Sequence, residues 1–149
     1  MSLVADFIKR FEGYAKRLRT GHCTTYLCSA KVLTIGYGST GRGVTPGAIW
    51  SQARASERFE EDLQQFAREV FALSPVLHFE TEARQAAIVS FAYNCGISAY
   101  RHSSLRRAVN RLDWDEAKRQ LMKWTRAGGR VVKGLENRRR AECALVDLE

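Results

Sequence analysis

Residues 7–40 read FIKRFEGYAKRLRTGHCTTYLCSAKVLTIGYGST, and this stretch decides how the rest of the chain is read. Upstream and into it, Val4, Ala5, Ile8 and Phe11 recur at helical spacing, with Lys9 and Arg10 on the other side. Gly13 is a natural stop just past the helix end. Glu12 is thus delivered at the last position of a short amphipathic helix. Residues 14–22 are basic and end in a Thr-Gly-His turn, which reads as a loop or an extra half-helix. Residues 24–28 and 32–37 are β-branched or aromatic enough for strands, joined by Ser29-Ala30-Lys31. The second ends in the polar, glycine-rich run Thr34-Ile35-Gly36-Tyr37-Gly38-Ser39-Thr40. An acid on a helix end facing a small β-hairpin has the makings of an active-site lip.

Outward from this stretch the chain is helical. Gly36, Gly38, Gly41 and Gly43 break regularity, and Val44-Thr45-Pro46-Gly47 is a turn. Ser51 caps a long helix whose apolar stripe is Phe59, Leu63, Phe66, Val70 and Leu73, ended by Pro75. Thr81 and Glu82 start a helix with the stripe Ala83, Ala87, Ile88, Phe91 and Ala92, stopping at Asn94-Cys95-Gly96. Ser103 or Ser104 caps a short helix to Leu112, and Asp113 opens another through Trp124. Residues 125–133 form a glycine-containing basic loop, and a helix over 135–148 carries Arg138, Arg139 and Arg140. The expected class is mainly α (α+β), with a β-hairpin region near the N-terminus. Residues 1–149 are read as one domain. Its N-terminal lobe covers about 13–50 and its linking helix about 51–74. The C-terminal lobe covers about 75–149 together with the N-terminal helix 4–12.

The composition is that of an ordinary globular protein, 45% hydrophobic and 27% charged. No apolar run reaches the roughly 20 residues needed to span a bilayer, and no signal-like segment opens the chain. The formal charge of +8, from 24 Lys and Arg against 16 Asp and Glu, is spread over both halves. Such a chain is drawn to polyanions in general, whether nucleic acid, anionic membrane or bacterial wall polymer. Cys23, Cys28, Cys95 and Cys143 contain no C-x-x-C pair, which argues against a structural zinc site. Cys23 and Cys28, five apart, fall on opposite faces of a continuous strand, so a bridge between them needs a bend. Free thiols are expected, in keeping with a reducing compartment.

Several residues are candidates for chemistry, each with a plainer alternative. A helix C-terminus raises a carboxyl pKa, which suits Glu12 to a general acid; a Glu before a Gly is also an ordinary solvated helix end. Cys28 and Thr34 are placed to hold a water across a hairpin turn, or are a buried thiol and a strand-forming Thr. Trp124, beside the glycine loop, is a candidate for sugar stacking, whereas Trp50 and Trp114 are read as core. Tyr37 and Asn94 sit near glycines and are candidate substrate contacts, Asn94 being equally a helix cap. His22, His78 and His102 are scattered and read as surface residues. Arg126, Arg130, Lys133 and residues 138–140 form the densest basic cluster. It is suited to tracking phosphates or to being a solvated face, and no recognition-helix pattern accompanies it.

FIKRFEG, YLCSAKVLTIGYGST and VTPG, in that order, resemble the N-terminal lobe of the phage-type lysozymes, the muramidases of glycoside hydrolase family 24. QAAIVSFAYNCGISAYRHSSLRRAVN and MKWTRAGGRVVKGLENRRRAE extend the resemblance over nearly the whole chain. It implies a two-lobed lysozyme-like fold and hydrolysis of the β-1,4 bond between N-acetylmuramic acid and N-acetylglucosamine in peptidoglycan. In that family the glutamate of the EG pair is the general acid, and an Asp or Cys six before a Thr positions the attacking water. Those roles fall on Glu12, Cys28 and Thr34. The resemblance implies peptidoglycan glycan strands as partner, with no cofactor, metal, nucleic acid or membrane, and a monomeric protein. It also implies a phage endolysin made in the bacterial cytoplasm and acting in the periplasm or cell wall after export or holin release. One departure stands out: 15 residues separate Glu12 from Cys28 where the family usually has eight. This reads as a seven-residue insertion within residues 14–24, beside the cleft. A thiol with an ordinary pKa near 8.5 is mostly uncharged at neutral pH, and single-displacement, inverting chemistry is expected. Two alternatives stay open: a non-catalytic peptidoglycan- or protein-binding module, and a lytic transglycosylase, which needs one acid and no held water.

Overall fold

The computed structural model describes residues 2–28 and 30–148. These form two compact units, one of residues 8–65 and one of residues 2–7 with 66–148.

The first unit holds the end of α1 (Ser2–Glu12) and five short strands, β1 (Cys23–Thr24), β2 (Tyr26–Leu27), β3 (Leu33–Ile35), β4 (Ser39–Thr40) and β5 (Ile49–Trp50). It also holds the first part of α2 (Gln52–Leu73). Strands β2, β3 and β4 make an antiparallel sheet in which Thr34 faces Tyr26 on one side and Thr40 on the other. The strand expected over 24–28 is not continuous. Thr24 pairs with Ile49 in a separate two-stranded ladder, and the chain changes partner at Thr25. Cys23 and Cys28 therefore belong to different pairings, and all four cysteines are free thiols. Ser29, in the expected turn, lies outside the described residues. Residues 14–24, expected as a loop or half-helix, form an irregular hairpin closed by an Arg17–Cys23 bridge. The Leu18 N–H donates to His22 O at 2.7 Å and the Gly21 N–H to Leu18 O at 3.0 Å.

Side-chain and backbone fit hold the unit together. Cys23, Ile35, Ala55, Phe59 and Leu63 are buried. Gly36 has φ +62, and a Cβ there would meet the Ala55 Cβ at 2.9 Å, so the turn lies directly on α2. Arg58 reaches from α2 to the other side of that turn, its guanidinium donating to the Arg42 and Thr40 carbonyls while its Nε bonds Asp62. Ser51 caps α2 as expected, its Oγ accepting the Arg54 N–H at 3.1 Å.

In the second unit α3 (Glu82–Cys95) is the central element. Thr81 caps it, accepting the Arg84 N–H, and residues 86–92 are buried on every face rather than along one stripe. A 3₁₀ turn (Pro75–Phe79) precedes it, and α4 (Ile97–His102), which the periodicity does not reveal, follows it. Gly96, at φ +97, breaks the chain between α3 and α4. The fully buried Tyr100 fixes α4, its hydroxyl lying 2.6 Å from the Ser74 Oγ. Ser103 caps α5 (Ser104–Asn110) and Asp113 caps α6 (Trp114–Leu121). The expected basic loop is a hairpin of β6 (Arg126–Ala127) and β7 (Arg130–Val131), and α7 (Lys133–Val146) packs on α3.

The tryptophan expectation is corrected: neither Trp50 nor Trp114 is fully buried core. Each is half-buried, with the guanidinium of Arg54 5.3 Å and that of Arg84 4.8 Å from its ring centroid. The three histidines are exposed, as expected.

Candidate active site

The helix and hairpin that open the chain put their polar residues on shared surfaces. The Gly13 N–H donates to Lys9 O at 3.0 Å with φ +65, ending α1 in a left-handed cap that leaves half-buried Glu12 on the last turn. Across the β2–β3 pair, Tyr26 lies opposite Thr34. Side chains alternate along a strand, so Cys28, two residues beyond Tyr26, shares its face, and so does Thr34 as the cross-strand partner. Burial pushes the Tyr26 phenol upward, reinforced by the negative charge of Glu12 and then of Cys28. Tyr26 is thus the common neighbour of the acid and the thiol. Thr34 lies opposite Tyr26 on β3.

Hydrogen bonding sets the character of Cys28. Its N–H donates to Val32 O at 3.1 Å and its carbonyl accepts the Lys31 N–H at 2.8 Å, closing the turn. The turn aims backbone N–H groups at the sulfur. The N–H of Val32 and then that of Ala30 hold the thiol below its usual range. This corrects the expectation of an ordinary thiol, since the thiolate fraction at neutral pH is larger. Thr34 is buried, and its hydroxyl donates to Val32 O at 2.9 Å. With its single proton used there, Oγ1 keeps lone pairs to accept from a water or a thiol.

The candidate substrate contacts fall in both units. Tyr37, 8% exposed, belongs with Glu12, Cys28 and Thr34 in the first. Its ring packs on Tyr14 and Phe59, the Lys9 ammonium lies 5.0 Å over it, and its hydroxyl accepts from Gln52 at 3.3 Å. Asn94 and Trp124 belong to the second unit. Asn94 lies in the last turn of α3 rather than capping it, and its Oδ1 accepts from Arg139 at 2.7 Å. Trp124 is half-buried, with Phe91 edge-on at 5.2 Å. Tyr26 is the residue that sequence reasoning misses, because its i, i+2 relation to Cys28 does not show that it faces the charge of Glu12.

The dense basic cluster is a further correction. Arg138 and Arg139 are 4% and 0% exposed, not a solvated face. Both pair with the buried Glu142, at 3.5 and 3.1 Å, and Glu142 also accepts from the Ser90 hydroxyl at 2.7 Å. Burial pushes the Glu142 carboxyl upward, with the Arg139 guanidinium, the Ser90 hydroxyl and Arg138 pulling it back. Lys133 and Arg140 pair with Glu136.

Mainly helical architecture with small antiparallel strands near the N-terminus is that of a lysozyme-like protein. The phage lysozyme family model matches residues 9–142, and the chain belongs to that family. It is 36% identical over 140 residues to an endolysin of Bacillus phage B103, covering 94% of this chain and 51% of that protein. It is 38% identical over 112 residues to a SAR-endolysin of bacteriophage PS119, covering 74% of this chain and 65% of the relative. The chain thus spans half to two thirds of the length of these curated relatives. Among solved structures, the muramidase domain of SpmX from Asticaccaulis excentricus superposes with a TM-score of 0.83 at 27% identity. That match covers 100% of this chain and 97% of the other. An endolysin from the Escherichia coli O157:H7 phage FAHEc1 superposes with a TM-score of 0.77 at 25% identity, covering 97% and 90%.

Proposed function

We propose that this chain is a muramidase of the endolysin type, hydrolysing the β-1,4 bond between N-acetylmuramic acid and N-acetylglucosamine in peptidoglycan. The observation that carries the reading is the convergence of Glu12 and Cys28 on Tyr26, with Thr34 opposite. Glu12 gives its proton to the glycosidic oxygen as the bond from that oxygen to the anomeric carbon breaks. A water held by Thr34 Oγ1 and the Cys28 sulfur attacks the same carbon from the opposite face. The water's proton passes to the sulfur and then to solvent, so one displacement inverts the anomeric centre. The hydrogen bonds that lower the Cys28 thiol give it part of the charge an aspartate would supply. Trp124 and Asn94 are proposed sugar contacts, and Tyr37 contributes by holding the turn that carries the β3–β4 link. Neither a cofactor nor a metal enters this chemistry, and the protein works as a monomer. Among the described residues no helix is long and apolar enough to cross a membrane; we propose that the protein reaches the wall by export or holin release.

The experiment is clearing of purified peptidoglycan by wild type beside Glu12→Gln. Loss of a general acid lowers the rate by about 10²–10⁴-fold, with new reducing muramic ends appearing only for wild type. Equal clearing by both proteins removes Glu12 from the mechanism, and anhydromuramic ends in place of reducing ones replace hydrolysis with transglycosylation.

A further inference from the structure

The segment between Glu12 and Glu57 has an unusual electrostatic composition. Residues 13–56 contain Lys16, Arg17, Arg19, Lys31, Arg42 and Arg54 and not one Asp or Glu. Arg54 pairs with Glu57. Lys16, Arg17, Arg19 and Lys31 are exposed, and no carboxylate among the described residues lies within ion-pair distance of them.

Three of the four sit on the hairpin of residues 14–24, and that hairpin is built rather than loose. Besides its cross-strand bonds, the Tyr14 hydroxyl donates to Gly21 O at 3.0 Å, and the Tyr14 ring packs 5.3 Å from Tyr37. The Ala15 N–H donates to Gly36 O and the Thr24 N–H to Lys16 O, both at 3.3 Å. The base of the hairpin is therefore fixed to the turn after β3 and to the strand leading to Tyr26. Lys16 and Lys31 have φ of +52 and +58, a left-handed backbone that favours Gly or Asn, yet both positions carry a long cation. Three residues separate Thr24, bonded to Lys16, from Cys28 at the start of the Lys31 turn, so the two lie within about 14 Å along the chain. The backbone of Lys16 is thus tied to the strand that leads into Cys28, and the Lys31 N–H donates to the Cys28 carbonyl.

We propose that the Lys16–Arg19 hairpin, with Lys31 on the next turn, is a docking surface for the carboxylates of the peptide stems that peptidoglycan carries on its muramic acid residues. The proposal rests on the muramidase reading for its substrate. Charge complementarity selects the partner: an acid-free, rigidly held cationic surface beside Glu12 and Cys28 meets a polymer whose anions recur along the strand being cut. The insertion adds a grip on the stems to a site that otherwise reads only sugars.

The test compares wild type with the Lys16→Asn, Arg17→Gln, Arg19→Gln, Lys31→Asn variant, Asn being chosen where φ is positive. Co-sedimentation and turnover are measured on intact sacculi and on glycan strands whose stems an amidase has removed. On stem-bearing substrate at low salt the variant should show about tenfold higher apparent KM and about tenfold weaker co-sedimentation with kcat unchanged. On stripped glycan the two proteins should be equal. At 1 M salt, where the screening length falls to about 3 Å, the difference should vanish. Arg17→Lys with Arg19→Lys should retain the wild-type KM. The proposal is overturned if the variant is equally impaired on stripped glycan, if it is unimpaired on sacculi, or if the Lys-for-Arg protein loses binding. It is also overturned if the salt-sensitive binding persists on amidase-treated walls that retain phosphodiester polymers, since the surface would then read phosphate. If neither protein cuts either substrate while the binding difference stands, the muramidase reading fails and the docking surface survives it.

Discussion

Two basic regions of the chain use arginine and lysine in different ways. Residues 126–140 hold the densest run of cations in the chain, yet Lys133 and Arg140 are paired with Glu136, and Arg138 and Arg139 are buried around Glu142. The hairpin of residues 14–24 carries fewer, and from residue 13 to residue 56 the chain holds no Asp or Glu. Density along the chain therefore misjudges where the positive field is. In the first region guanidinium groups are structural parts: they join α7 to α3 through Ser90, Asn94 and Cys95, the last accepting from Arg139 at 3.3 Å. In the second, charge is left over after the fold is complete, and charge left over is what a ligand meets.

That contrast can be broken experimentally, beginning where the effect is largest. Glu142→Gln leaves two buried guanidiniums without their anion and should cost about 3–5 kcal/mol of stability in urea unfolding; a loss below 1 kcal/mol would mean the cluster is solvated after all. Gly36→Ala forces a Cβ into Ala55 at a left-handed position and should cost about 2 kcal/mol, showing that the first unit depends on backbone approach rather than on charge. Alkylation of Cys28, followed by mass spectrometry of its peptide, should outrun that of an ordinary exposed thiol at neutral pH. Its rate should level off at lower pH, because the hydrogen-bonded thiolate forms earlier as pH rises. A profile matching a free cysteine would deny the turn its role. The smallest effect belongs to the hairpin cations: neutralising Lys16, Arg17, Arg19 and Lys31 should move stability by less than about 0.5 kcal/mol per site.

The helical half was legible because it follows local rules. Ser51, Thr81, Ser103 and Asp113 announce their helices and each accepts a backbone N–H as a cap should. The buried faces of α2 follow from the spacing of Phe59, Leu63 and Val70. Helix α4 was hidden because six residues are too few to show a period, and Tyr100 is held by a hydroxyl contact 26 positions away in sequence. The β region was read as a hairpin but not as two separate pairings, since no local pattern tells Thr24 that its partner is Ile49. Glu12, Cys28 and Thr34 could be singled out by residue type and spacing. Tyr26 could not, because its significance lies in the charges it faces. The fate of the basic cluster was likewise illegible, for pairing depends on which helix face meets Ser90.

The β1–β5 ladder has a consequence for the order in which this region assembles. Its pairing of Cys23 with Trp50 encloses β2, β3 and β4 entirely within one loop of the chain. Closing a long loop carries an entropy cost that the short β2–β3 and β3–β4 turns avoid. The strand pair that presents Cys28 and Thr34 is thus a local structure able to form early. The ladder draws shut behind it like a purse string, and fraying of β1 and β5 would leave the pair intact.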